Sequence, residues 1–270
     1  MEVLRVCSVL VVAVLAACAS ISDRPTSDAL KELAPTGKLR VGVASAPTRS
    51  AFFVEKNANG QPSGVTVDLG NELGRKLGVP VEIIVAPNSG ELVKATSSGA
   101  LDVSFMPVDD ERRKILDFGP AYFVIESSYL VRPGSDIKTL ADVDRTNIRV
   151  VGIANTATIR SAGRSLKNTG VTAAPSVDEA MEMLRSGRAD AFALTHDSLP
   201  PLAARLPGSR ILGGSFLQTG IAIAVPKNRP NALAYATEFM ENAKASGLVQ
   251  RAFDNAGLRG LTIAPPSSGR

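Results

Sequence analysis

The chain has 270 residues, room for one large or two modest domains. Apolar residues make up 44% and charged residues 21%, which excludes a mostly disordered chain. A net charge of +4, no long run of like charges and no Trp give little footing for a nucleic-acid surface, while two Cys and one His exclude a zinc ribbon, a disulfide framework and most His-based metal sites.

Val6 to Ala19 forms a continuous, weakly polar run of fourteen residues. A membrane-spanning helix needs about 20, so this length suits the apolar region of a signal peptide over residues 1–17. The run ends in Leu15-Ala16-Ala17-Cys18, which resembles a bacterial lipobox with Cys18 as the lipid attachment point. An ordinary signal peptide with a chance Cys is the alternative. Cleavage before Cys18 would also remove Cys7, leaving no pair for an internal disulfide. Residues 18–36, rich in Ser, Thr, Asp and Pro, read as a lipid-anchored tether with a short helical pattern at Ser27–Leu33.

Strand and helix signals then alternate. Leu39–Val43 reads as a strand, and Val65, Leu69, Leu73 and Leu77 recur at i+4 until Gly78 and Pro80 stop the helix. Val81–Val85 is the next strand. Asn88 with Glu91 caps a helix to Ser98, and Leu101–Phe105 follows as a strand. The same grammar returns at Ile148–Ile153, at a helix from about Thr156, at a helix capped by Ser176 and Glu179 and ended by Gly187, and at a strand over Asp190–Leu194. Offset by 88 residues, five of the sixteen positions 87–102 coincide, among them Gly99/Gly187 and Asp102/Asp190. A strand at Ile221–Val225 and an amphipathic helix from Pro230 to Ser246 complete the chain. The order argues an α/β protein with parallel sheets, built as two similar lobes with a ligand cleft between them.

Enzyme motifs are scarce. GxSxG, P-loop and GxGxxG patterns are absent, and His196 stands alone. Asp109-Asp110-Glu111 is followed at once by Arg112-Arg113-Lys114, the order expected of a solvated helical turn. No cofactor or metal is expected.

Several segments, taken in order, resemble the family 3 extracellular solute-binding proteins of ABC importers, whose best-known members capture amino acids. They are Gly37-Lys38-Leu39-Arg40-Val41-Gly42-Val43, Gly64-Val65-Thr66-Val67-Asp68-Leu69, Ser98-Gly99-Ala100-Leu101-Asp102-Val103, Glu111-Arg112 with Asp117-Phe118, Pro120-Ala121-Tyr122, and Gly187-Arg188-Ala189-Asp190-Ala191. The resemblance implies a two-lobed periplasmic-binding-protein fold, each lobe a mostly parallel sheet flanked by helices. The chain would cross between lobes near Ser128 and Gly220. Lobe one would hold residues 37–127 and 221–263, lobe two residues 128–220, and 264–270 would be a flexible tail.

The same resemblance assigns a site. Arg112 matches the family arginine that clamps the ligand carboxylate, with Arg113 the solvated neighbour. Asn155-Thr156-Ala157-Thr158 matches a segment set against that carboxylate, with Thr156 and Thr158 as donors; simple N-capping by Thr156 is compatible with this. Arg160 would either add charge to the cleft or face solvent. Pro107 replaces a family Thr or Ser and Phe105 a Gly, either narrowing the pocket or simply packing. Thr195 stands where many amino-acid binders place an Asp for the ammonium, with Asp197 two residues on. Ser50 aligns with an aromatic platform, beside Arg49 and Phe52. The implied protein is a monomeric receptor at the periplasmic or extracytoplasmic membrane surface. It would close around a carboxylate-bearing solute and deliver it to an ABC permease. The alternative is an enzyme like the cyclohexadienyl dehydratases, which resemble these binders; Thr195-His196-Asp197 is its candidate site.

Overall fold

The computed structural model describes residues 25–45, 50, 52–258, 261 and 263–265. Helix α1 (Ser27–Leu33) leads to β1 (Leu39–Ser45), β2 (Phe53–Lys56), β3 (Pro62–Ser63), α2 (Val65–Leu77), β4 (Val81–Ala86), α3 (Ser89–Ser97), β5 (Val103–Pro107) and α4 (Asp110–Ile115). The i+4 series of α2 is buried, and Gly78, at φ 72°, ends the helix in the left-handed region that a residue with a Cβ resists. Asn88 caps α3 by accepting from the amides of Gly90 and Glu91 at 2.9 and 3.0 Å. Strand β1 runs parallel to both β4 and β5.

The chain continues as β6 (Leu116–Val131), β7 (Val150–Ile153), α5 (Ala157–Ser165), β8 (Val171–Ala174), α6 (Val177–Arg185), β9 (Ala191–Thr195), α7 (Leu199–Ala204), β10 (Arg210–Ile211), β11 (Leu217–Pro226), α8 (Pro230–Ala245) and α9 (Leu248–Asn255). The strands follow the order β3-β2-β1-β5-β11-β6-β9-β7-β8, with β4 added on β1 and β10 on β6. Strand β7 is parallel to β8 and β9, so each lobe carries its own parallel group. The lobes are joined by β6 and β11. Residues 221–224 of β11 pair with β5, residues 127–131 of β6 pair with β9, and between them Val124 lies opposite Gly220 and Glu126 opposite Gln218. A Cβ on Gly220 would come within 2.7 Å of the Ala121 Cβ. Gly220→Val is therefore expected to lower stability by about 1–3 kcal/mol through overpacking, read as a lower midpoint in urea.

The two lobes share one device. Asp102, fully buried ahead of β5, accepts from the Arg40 backbone amide, Nε and Nη2 at 2.9, 2.9 and 2.7 Å. Asp190, ahead of β9, accepts from the same three groups of Arg149 at 3.0, 2.9 and 2.9 Å, and from Arg132 Nε at 2.7 Å. The 88-residue coincidence thus marks a buried aspartate that ties the start of one parallel strand to its neighbour. Burial pushes the Asp190 carboxyl up, but the hydrogen bonds from Arg149 and Arg132 outweigh it and take the pKa to about 2. Its folded value lies below its unfolded one, so its contribution is present above pH 4 and is lost as pH falls towards 2. Acid titration of unfolding should show a loss of up to about 2 kcal/mol in that window, absent in Asp190→Asn and reduced by salt because both arginines are partly exposed.

Two segments depart from their expected roles. Residues 18–36 are not tether throughout: α1 buries Ala29 and Leu33, and its Glu32 accepts from the Ala232 amide at 2.8 Å, capping α8. The tail does not begin at 264, because the Ala264 amide donates to the Tyr122 carbonyl at 2.8 Å and the Pro265 carbonyl accepts from the buried Lys244 Nζ at 3.0 Å. The signal segment and Cys18 lie outside the described residues.

Candidate functional site between the lobes

The C-terminal ends of the two parallel groups face each other, the edge of an α/β sheet where ligands collect. On the first lobe, β5 ends at Pro107 and a short loop leads into α4. The loop is fastened to the crossing strand: the Val108 amide donates to the Gly220 carbonyl at 2.9 Å, and the Thr219 hydroxyl donates to the Val108 carbonyl at 2.6 Å. Asp109 caps α4 by accepting from the Arg112 amide at 3.0 Å. That turn sends Arg112 inward, where only 2% of it is exposed. Its Nη1 donates to the Pro107 carbonyl and its Nη2 to the Ser89 hydroxyl, both at 2.6 Å. Its Nε lies 3.5 Å from Asp109 Oδ2 and has no hydrogen-bond acceptor among the described residues. Burial lowers the Arg112 pKa to about 10, opposed by Asp109 and reinforced by Arg160; the group stays cationic at neutral pH.

The second lobe meets this loop with the turn before α5. Asn155 adopts φ 60°, a left-handed conformation that asparagine tolerates, and its carbonyl accepts from Arg112 Nη2 at 3.4 Å. Thr156 is the N-cap, accepting from the Ile159 amide at 3.2 Å and donating to the Ile153 carbonyl at 2.8 Å. The first-turn amides of Ala157 and Thr158 have no partner within the helix and favour an anion. Buried Thr158 lies 3.5 Å, oxygen to oxygen, from Ser127 of β6. One turn along α5, the Arg160 guanidinium pairs with Asp109, and its buried Nε also lacks an acceptor among the described residues. Burial pushes the Asp109 carboxyl up, but the Arg112 amide and the two guanidinium charges outweigh it and hold it below the usual range.

The structure thus brings together Arg112, Pro107 and the Thr156–Thr158 turn. It adds Ser89 and Asp109, to which sequence reasoning gives no ligand role, and it uses Asn155, the first residue of the expected segment, through its backbone carbonyl. Pro107 has a part after all, through its carbonyl. The other assigned residues are engaged elsewhere. Phe105 is fully buried edge-on to Tyr122 in the first lobe's core, 6.0 Å between centroids, so it packs and does not narrow a pocket. The Ser50 hydroxyl accepts from the amides of Phe52 and Phe53, and the Phe52 ring packs on Phe53. Arg49 lies outside the described residues. The Thr195 hydroxyl donates to Ser198 at 2.9 Å. Half-buried Asp197 is close enough to raise the pKa of the Tyr122 hydroxyl further, after the larger effect of burial. Exposed Arg113 lies over the Phe118 ring at 5.8 Å, the solvated neighbour expected. Among the described residues no His, Cys, Asp and Glu cluster is placed to hold a metal.

Gly90, in the first turn of α3, sets how closely the lobes approach: a Cβ there would run into the Asn155 side chain. Gly90→Val should hold the lobes apart and enlarge the radius of gyration in small-angle scattering without lowering the unfolding cooperativity.

Two lobes on paired crossing strands, with a buried arginine facing a helix N-terminus across the junction, define a solute-binding protein. The model of the bacterial extracellular solute-binding proteins, family 3, matches residues 39–256, and the chain belongs to that family. It is 23% identical to the ABC transporter glutamine-binding protein GlnH of Bacillus subtilis (strain 168), over 90% of this chain and 92% of that one. A crystal structure of the P235GK mutant of ArgBP from T. maritima superposes with a TM-score of 0.74 at 26% identity, over 85% of this chain and 99% of the other. The ancestral amino acid-binding protein AncCDT-1, a precursor of cyclohexadienyl dehydratase, does so with a TM-score of 0.71 at 25% identity, over 84% and 98%. The family and these relatives are binding proteins.

Proposed function

We propose that the protein captures a small carboxylate-bearing solute, an amino acid or a derivative of one, between its lobes and delivers it to an ABC permease from the extracytoplasmic membrane surface, where lipid on Cys18 would hold it. The observation that carries this is Arg112: a buried guanidinium at the lobe junction, cationic at neutral pH, with an Nε–H that lacks an acceptor among the described residues. A planar fork suits a carboxylate because it makes two parallel charge-assisted hydrogen bonds. The α5 amides then meet the same anion from the other lobe, so the solute gains contacts on closure that the open form lacks. The relatives named for glutamine and arginine support an amino-acid ligand, and GlnH supports an ABC transporter as the partner.

Thermal unfolding against a panel of amino acids, opines, keto acids and small dicarboxylates tests this. A solute bound only by the folded state adds about 4 kcal/mol at a thousandfold excess over Kd, so one class should raise the midpoint by several degrees. No shift across the panel would reject the reading. A dehydratase reading draws on the AncCDT-1 likeness and on half-buried Asp197, whose charge acts on the buried Tyr122 hydroxyl. Loss of water from prephenate or arogenate by the purified protein would establish it in place of the receptor role.

A further inference from the structure

A charged pair bridges the interlobe junction. Arg160 stands on α5 of the second lobe and Asp109 on the α4 cap of the first, 51 residues apart in sequence, and their side chains pair directly across the junction. The pair is largely withdrawn from solvent, with 28% of the Arg160 side chain and 12% of Asp109 exposed. Asp109 Oδ2 faces both guanidiniums, that of Arg160 and, at 3.5 Å, Arg112 Nε. Arg112 in turn reaches the Asn155 carbonyl of the second lobe. Among the described residues two cations and one anion converge here, and the Asp109 carboxylate lies between the two guanidiniums, where an incoming anion would seek to sit.

We propose that Asp109 and Arg160 form an interlobe latch that keeps the solute-free receptor mostly closed, with Asp109 standing in for the solute's anionic group. Asp109 is built for both duties. Its Oδ1 is fixed by the Arg112 amide as a helix cap, which aims Oδ2 at the opposite lobe. A solute then enters only when the latch opens, and its anion replaces the internal contacts made by Asp109. Binding is weakened by the fraction of receptor that is latched, and a solute whose anion cannot displace Asp109 is refused. The latch itself is a property of the solute-free chain and does not depend on which solute is bound.

Small-angle scattering of the protein, unfolded and refolded to strip bound solute, is the test. Wild type is expected to be compact, and Arg160→Gln and Asp109→Asn each to enlarge the radius of gyration, with a shift in the open-to-closed ratio on the order of tenfold. Asparagine keeps the cap acceptor, and Arg160 is partly exposed, so both variants should retain cooperative thermal unfolding. The double variant should open no further than the more affected single, because both remove one interaction. An already extended wild type, variants as compact as wild type, or a double variant that adds the two single effects would each overturn the latch. A compact wild type with opened variants would uphold it even if no solute in the binding panel were bound.

Discussion

Replacing Arg112 by Gln is expected to weaken solute binding by about a hundredfold or more. Each charge-assisted hydrogen bond from the guanidinium is worth roughly 1.5–3 kcal/mol, and a bidentate clamp loses two of them. The buried anion that remains would also lack its counter-charge, adding a desolvation penalty. Arg112→Lys keeps the charge but loses the planar fork, so its affinity should fall between the two. Arg113→Gln is the control: that side chain is exposed over Phe118, away from the junction, and binding should be unchanged. Calorimetric titration checks all three. Equal affinity in wild type and Arg112→Gln would remove Arg112 from the site.

The second large effect concerns the fold. Asp102→Ala should destabilise the protein by about 3–5 kcal/mol, the usual cost of removing one partner from a buried ion pair. The loss has two parts, since the Arg40 guanidinium loses its carboxylate and the buried end of β1 loses the acceptor for its backbone amide. At 2–4 °C per kcal/mol for a chain of this size, the unfolding midpoint should drop by roughly 10 °C. Asp190→Ala removes the equivalent tie in the second lobe, where Arg132 and Arg149 are more exposed, so its cost should be smaller. A midpoint in Asp102→Ala within a degree or two of wild type would show that this tie does not anchor the lobe.

Much of the fold was legible because local rules decide it. The i+4 series of α2 and its Gly78 stop, the Asn88 and Ser176 caps, and the recurrence of Asp102 at Asp190 all report contacts within one lobe. The longest strand carries no clear sequence signal. Leu116–Val131 lacks strict alternation and contains Gly119-Pro120, a pair that punctuates most sequences. The structure absorbs them in the register shifts opposite Ala222 and Ala224, so the strand runs on through a bulge. Half-buried along most of the first lobe, exposed at Val124 and Glu126 on the crossing and fully buried in the second lobe, this strand has no single periodicity to detect.

The site divides in the same way. Family likeness points to Arg112 and the Thr156 turn, and it leaves Arg160 either adding charge to the cleft or facing solvent. Ser89 carries no signal beyond its place after a capping Asn. Asp109 looked like one of three carboxylates balancing three cations on a solvated turn, because nothing local indicates that the opposite lobe presents an arginine to it. Family likeness places Phe105, Ser50 and Thr195 at the site by sequence offset alone, and each satisfies a nearer partner: the Tyr122 ring, the Phe52–Phe53 amides and the Ser198 hydroxyl. Offsets locate a strand end well, but which side chain points across a cleft depends on one or two residues of loop register.

Calorimetric titration of the wild-type protein with the solute found in the thermal panel, set against the same solute with its carboxylate converted to the carboxamide, tests whether the junction is a carboxylate clamp. The expected result is a loss of about a hundredfold or more in affinity for the amide, since the guanidinium would face a neutral group and one of its two acceptors would become a donor. Equal binding of acid and amide would contradict the capture of a carboxylate by Arg112.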